Sequence, residues 1–309
     1  MIKEKPFCKA LAICVAGPLS FLVISSAITP AVSPPAAPAT TAPSTADGTA
    51  AKLATVTPWI TGLRSPQGMA RDKQGNIYIA EYNGGQVLRY SATGKLLNKI
   101  GQDLKNPAWV AYANDTLFIA ERKANQILSM DVEGKIRPIG GAVEEPLGLA
   151  VTKDGNLIVV SHTTSRILSI PNATGRTSDA GSTSKSGVIY AAPATGGKRY
   201  GYRCVAADPD GNLLITDETD GRILLLTPSG RLATWVSNLD DPTAVVFSPK
   251  GEVYVAEEGA GRIKRIDVHG ATTIVAEGLG QARDIEFLDE KTMLVSDRKN
   301  GTIWHVKLP

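Results

Sequence analysis

From residue 66 onward the chain alternates short apolar runs with polar clusters. Met69-Ala70, Ile77-Tyr78-Ile79-Ala80 and Val87-Leu88 are separated by Asp72-Lys73-Gln74-Gly75-Asn76 and by Asn83-Gly84-Gly85. Runs this short, rich in β-branched and aromatic residues and bounded by Gly, Asn and Asp, predict strands joined by tight turns. A helical stripe would need apolar residues three and four apart over a longer stretch.

The frame repeats, most clearly in its second strand. Ile77-Tyr78-Ile79-Ala80-Glu81 is followed by Leu117-Phe118-Ile119-Ala120-Glu121, Leu157-Ile158-Val159-Val160-Ser161, Leu213-Leu214-Ile215-Thr216-Asp217, Val253-Tyr254-Val255-Ala256-Glu257 and Met293-Leu294-Val295-Ser296-Asp297. The copies start forty residues apart, with one interval of fifty-six between the third and fourth. A period near forty with several strands per unit predicts an all-β, six-bladed β-propeller, because a four-stranded sheet cannot bury both faces alone and must lean on its neighbours. The sixth unit ends three strands after its start, and residues 53–60 form an orphan strand at the other end. The N-terminal strand is therefore expected to complete the last blade and remove its open edge.

The long interval holds the polar stretch from Asn172 to Ser184, then Val188-Ile189-Tyr190-Ala191-Ala192 as an outer strand and Lys198-Arg199-Tyr200-Gly201-Tyr202-Arg203 as the approach to blade four. Strand alternation places the connection into each inner strand and the turn after each second strand on one face. The corners near Gln67, Trp109, Leu147, Arg203, Thr243 and Arg283 are thus expected around a central funnel, beside the turns after residues 81, 121, 161, 217, 257 and 297.

The first fifty residues read differently. Lys3, Lys5 and Lys9 precede an uncharged apolar run over residues 10–28, and Ser25-Ser26-Ala27 offers small residues for cleavage. Residues 1–27 are read as a signal peptide, with an uncleaved anchor as the alternative, and the chain as secreted or periplasmic. Residues 28–51, rich in Pro, Ala and Thr, form a linker, and residues 52–309 the propeller. The stretch of residues 51–309 carries 30 basic and 28 acidic residues, a balance that argues against a nucleic-acid partner. Cys204 is its one cysteine, so no internal disulfide is available.

Pro66-Gln67-Gly68-Met69-Ala70 with Gly75-Asn76-Ile77-Tyr78-Ile79-Ala80-Glu81, and Asp208-Pro209-Asp210-Gly211-Asn212 with Gly221-Arg222-Ile223, resemble NHL repeats and the blades of the SMP-30/gluconolactonase group, and more loosely virginiamycin B lyase. The resemblance implies the fold, and admits either a metal-dependent lactonase, with calcium as its cofactor, or a lyase. In the gluconolactonase-like enzymes the metal is held by acidic and Asn side chains at the corners. The matching residues here are Gln67, Ala108, Leu147, Arg203, Thr243 and Arg283, none of them a carboxylate or Asn, and no cofactor is expected.

The acids closing the second strands recur too regularly for a catalytic set and are expected to pair with Gln86, Gln126, Arg222, Arg262 and Thr302 across each turn. His162 is the one histidine expected on the funnel face and the weak catalytic candidate. It would need Glu121 or Asp217 as its orienting partner. Arg203 and Arg283, with Arg199, Tyr202, Trp109, Gln67 and Thr243, form the candidate ligand site. Guanidinium groups in a concavity bind carboxylate or phosphate. Alternatively, these two pair with Asp284, Glu218 or Glu258 and plug the tunnel. The partner read from this is a small anionic molecule, a glycan or a protein loop, bound by a monomer.

Overall fold

A computed structural model describes residues 52–174, 185–192 and 201–309. Residues 1–51, over which a signal peptide and a linker are expected, and Lys198, Arg199 and Tyr200 of the approach to blade four lie outside the described residues.

Six four-stranded antiparallel sheets succeed one another along the chain. Blade one comprises Pro66–Arg71, Ile77–Glu81, Gln86–Tyr90 and Leu96–Ile100; blade two Pro107–Ala113, Thr116–Glu121, Gln126–Met130 and Ile136–Ile139. Blade three comprises Pro146–Val151, Leu157–Ser161, Arg166–Ile170 and Gly187–Ala191; blade four Tyr202–Ala207, Leu213–Asp217, Arg222–Leu226 and Leu232–Val236. Blade five comprises Pro242–Phe247, Val253–Glu257, Arg262–Ile266 and Thr272–Ala276. Blade six joins Ala282–Phe287, Thr292–Asp297 and Thr302–Lys307 to Thr55–Ile60, whose Val56 lies opposite Val306.

The second strands are buried along their length, and Ile77, Ile79, Leu117, Ile119, Val159, Ile215, Val255 and Val295 are fully shielded. Both faces of such a strand meet a neighbouring blade, so the sequence reads as a continuous apolar run instead of alternating. The Asp-x-x-Gly-Asn clusters are the turns between inner and second strands. The Asp72 carboxylate accepts from the Gln74 and Asn76 backbone N–H groups at 3.0 and 2.8 Å, while Gly75 takes the left-handed conformation that closes the turn. Asp208 repeats the arrangement in blade four.

Every inner strand begins with a bulge, a one-residue register shift just after its first residue. Bulges break the ladder locally and re-aim side chains. The freed groups find partners across blades. Thr216 Oγ1 accepts from Cys204 N at 3.0 Å and faces the Thr243 carbonyl of blade five at 3.4 Å, and Ser296 Oγ, accepting from Asp284 N, donates to the Gln67 carbonyl of blade one at 2.7 Å. Close approach there also explains the corner glycines: a Cβ on Gly148 would sit 2.5 Å from the Arg203 carbonyl oxygen, and one on Gly68 2.7 Å from Trp109 Cα.

Candidate functional site

The acids that end the second strands are joints. Glu81 accepts from Arg64 N and Gln86 Nε2, both at 2.7 Å; Asp217 from Gly201 N at 3.1 Å and Arg222 Nε at 3.0 Å; Glu257 from Asp240 N at 2.8 Å, Lys264 Nζ at 2.9 Å and Arg262. Glu121 holds Lys105 N and Gln126 in the same way. Each carboxylate therefore ties the hairpin to the connection that enters its blade. In blade six the partners of Asp297 are Gln281 N, Asn300 and Trp304 Nε1, and not the expected Thr302. Blade three inverts the polarity: Ser161 Oγ donates to the Glu144 carbonyl at 2.6 Å.

The residue after each second strand and the second residue of each inner strand form two tiers at one mouth of the channel. Tyr82, Arg122, His162, Glu218, Glu258 and Arg298 make the outer tier; Gln67, Ala108, Leu147, Arg203, Thr243 and Arg283 the inner. Ion pairs cross them. Arg203 pairs with Glu218, Arg283 Nη2 with Glu258 Oε2 at 3.0 Å, and Arg298 reaches the other Glu258 oxygen at 4.0 Å. Arg122 and Lys123 bind Glu145 at 2.9 and 2.7 Å, and these bonds, Lys123 first, hold the Glu145 carboxyl down to about 2.

Arg283 is 3 % exposed, and its Nε and Nη1 have no hydrogen-bond partner among the described residues. Burial lowers the Arg203 and Arg283 guanidinium values to about 9 and about 10. Arg203 is further depressed by Arg283 and Arg122. Both arginines remain cations at neutral pH, so like charges are gathered in a poorly hydrated space.

His162 is oriented by the carbonyl of Tyr202, 3.0 Å from Nδ1, and not by Glu121 or Asp217. A carbonyl only accepts, so Nδ1 carries the proton and Nε2 the lone pair. Burial first, then Arg203 and Arg122, keep the ring below its ordinary value and neutral. The remaining candidates stand deeper. Gln67 and Thr243 are buried, with the Thr243 hydroxyl given to the Ala282 carbonyl at 2.8 Å. The Tyr202 ring lies in the apolar core with Ile158, Val160 and Leu226, and Trp109 lines the channel beneath the arginines.

Below this layer the inner strands enclose a cavity of about 610 Å³ that reaches the opposite rim at Arg71, Asn114 and Lys153. Its walls include Leu149, Val205, Phe247 and two acids from one strand, Asp284 and Glu286. Asp284 accepts from Met69 N at 2.6 Å and Ile285 N at 2.8 Å, joining blade six to blade one. Burial raises its carboxyl to about 7, and burial with the neighbouring Asp284 raises Glu286 to about 8. The charged triplet Arg283-Asp284-x-Glu286 in an otherwise apolar inner strand is the sequence signal for this pair, which the corner-based reading placed outside the site.

A divalent metal at the corners does not fit these residues. The inner tier offers two guanidinium groups and no carboxylate, both Asp284 oxygens already accept backbone N–H groups, and no group of three His, Cys, Asp or Glu side chains able to hold a metal occurs among the described residues.

The model of the SMP-30/Gluconolactonase/LRE-like region matches residues 39–123. No curated protein sequence matches the chain. Among solved structures, a gluconolactonase from Xanthomonas campestris is 14% identical, with 83% of this chain and 90% of that one covered and a TM-score of 0.69. A virginiamycin B lyase from Staphylococcus aureus with quinupristin is 14% identical over 83% and 100% of the two chains, TM-score 0.63. A calcium-binding regucalcin from Agrobacterium tumefaciens is 14% identical over 82% and 91%, TM-score 0.64. At this identity the likeness establishes the fold. The chain is a six-bladed β-propeller whose residues 39–123 are similar to the SMP-30/Gluconolactonase/LRE-like region.

Proposed function

We propose that this propeller, working outside the cytoplasm, binds an anion at the arginine-bearing mouth: a small molecule, an acidic glycan or an acidic group of a protein. The observation that carries the reading is the Arg283 guanidinium, buried, charged and with two nitrogens unpartnered among the described residues. Leaving a buried charged donor unpaired costs more than an ordinary hydrogen bond returns, and an oxyanion pairs with Nε–H or Nη1–H through a fork that Nη2 completes. Arg203 and Arg122 stand within electrostatic reach of Arg283 and add to its pull. Glu218 and Glu258 hold the arginines in the absence of ligand, so binding exchanges an internal carboxylate for an external one.

Isothermal titration of the full-length chain with sulfate and with simple carboxylates tests this. Saturable binding to the wild type that is lost in Arg283→Met supports the reading, and equal heats from both proteins would refute it.

A second reading, a lactonase-like hydrolase or a lyase, is favoured by the acid pair in the 610 Å³ cavity. Carboxyls raised to about 7 and about 8 suit general acid and base work near neutral pH. Ring opening of lactones by the wild type and its loss in Glu286→Gln would move the function to this cavity; a wild type without such activity would remove the reading.

A further inference from the structure

The central cavity has one wall unlike the others. Strand pairing puts six residues at the same level of the inner strands: Ala70 opposite Tyr78, Ala111 opposite Phe118, Ala150 opposite Ile158, Ala206 opposite Leu214, Val246 opposite Tyr254 and Glu286 opposite Leu294. All six line the space of about 610 Å³, and all but Ala70 keep part of their surface open. Four alanines and a valine leave room where longer side chains would close the ring, and the sixth blade sets a carboxyl into that room. Glu286 has no hydrogen-bond or ion-pair partner among the described residues. Arg71, the cation that acts on it, gives its Nη1–H to the Leu288 carbonyl instead. A carboxyl in an apolar wall without a partner is costly, and the donor it lacks has to come from outside the chain.

Beyond the anion reading and independently of it, we propose that this cavity is a second ligand site that takes a primary ammonium carried on an apolar body, its N–H groups on the Glu286 carboxylate and its body along the alanine ring. An ammonium brings three donors and the opposite charge, the strongest pairing open to a carboxylate in a poorly hydrated space. Asp284, deeper on the same strand and 3 % exposed, already accepts from Met69 N and Ile285 N, so it adds negative field and no contact. With the cavity empty, burial first and Asp284 second keep Glu286 protonated near neutrality, and the arriving cation lets it ionise. Arg71 and Lys153 at the rim oppose a second positive group, which selects a monoamine over a diamine.

Calorimetry with the full-length chain at constant ionic strength tests the assignment using hexylamine, hexan-1-ol and hexane-1,6-diamine. The wild type is expected to bind hexylamine saturably and roughly tenfold tighter than hexanol, the effect of a hydrogen bond to a charged group, and tighter than the diamine. In Glu286→Gln, which keeps the shape of the carboxyl, the advantage of the amine over the alcohol disappears. The wild-type series decides the matter if that variant fails to fold. Hexanol or the diamine bound as tightly as hexylamine, an advantage that survives the substitution, or no saturable binding of the amine overturns the inference. The anion reading at the mouth stands or falls separately, on Arg283→Met.

Discussion

Glu286→Gln isolates one ionisable group in the central cavity. Glu286 lies two residues from Asp284 on the same inner strand, so both side chains leave the strand on one side. Burial raises the Glu286 carboxyl from 4.5 to about 8, Asp284 adds to the rise and Arg71 opposes it. Between about pH 4 and about pH 8 the folded protein therefore holds a proton that the unfolded chain has released, and stability falls as pH rises through that window. The difference sets a ceiling of roughly 5 kcal/mol; Glu286 borders a cavity open to water, and screening there brings the expected contribution to about 2 kcal/mol. The substituted amide keeps the shape of the carboxyl without its charge. Urea unfolding at pH 5, 7 and 9 is expected to show nearly equal stabilities at pH 5, and the variant ahead by about 2 kcal/mol at pH 9, or about 4–8 °C in Tm for a domain of this size. Parallel pH curves for wild type and variant would refute the reasoning.

Three further outcomes follow from particular contacts. Gly148→Ala pushes a methyl against the Arg203 carbonyl and is expected to cost about 1–3 kcal/mol by thermal unfolding, with no such loss for Gly187→Ser, exposed at the start of blade three's outer strand with open space around it. Glu257→Gln leaves Arg262 and the buried Lys264 without their countercharge and is expected to destabilise by about 3 kcal/mol in urea unfolding, a larger effect than Glu252→Gln at a more exposed ion pair. Glu258→Gln frees Arg283 from its internal partner; sulfate titrations are expected to show binding about tenfold tighter, with a lower Tm that sulfate restores.

The blades were legible because burial on both sides of the second strand removes alternation and leaves runs such as Ile77-Tyr78-Ile79-Ala80, repeated at a fixed spacing. The joints were legible for the same reason: Glu81 and Gln86 recur together, and their hydrogen bond fixes each turn. Less could be read of the site. The corner positions place Arg203 and Arg283 at the mouth, but which acid each meets depends on how adjacent blades lean, and the partners are Glu218 and Glu258, with Asp284 turned into the channel. Tyr202 illustrates the limit of position alone: its ring packs between blades and only its carbonyl serves the mouth. The bulge after each inner strand's first residue decides these directions, and it leaves no mark in the composition.

The claim on which the functional account rests is that the buried Arg283 guanidinium is a receptor for an anion. The most direct measurement is the thermal transition of wild type and Arg283→Met across a carboxylate titration at constant ionic strength. The wild-type transition is expected to climb with ligand, by the equivalent of about 2.7 kcal/mol at a hundredfold excess over Kd, while the variant unfolds within a few degrees of the unliganded wild type and does not respond. A variant that responds as the wild type does would contradict the account.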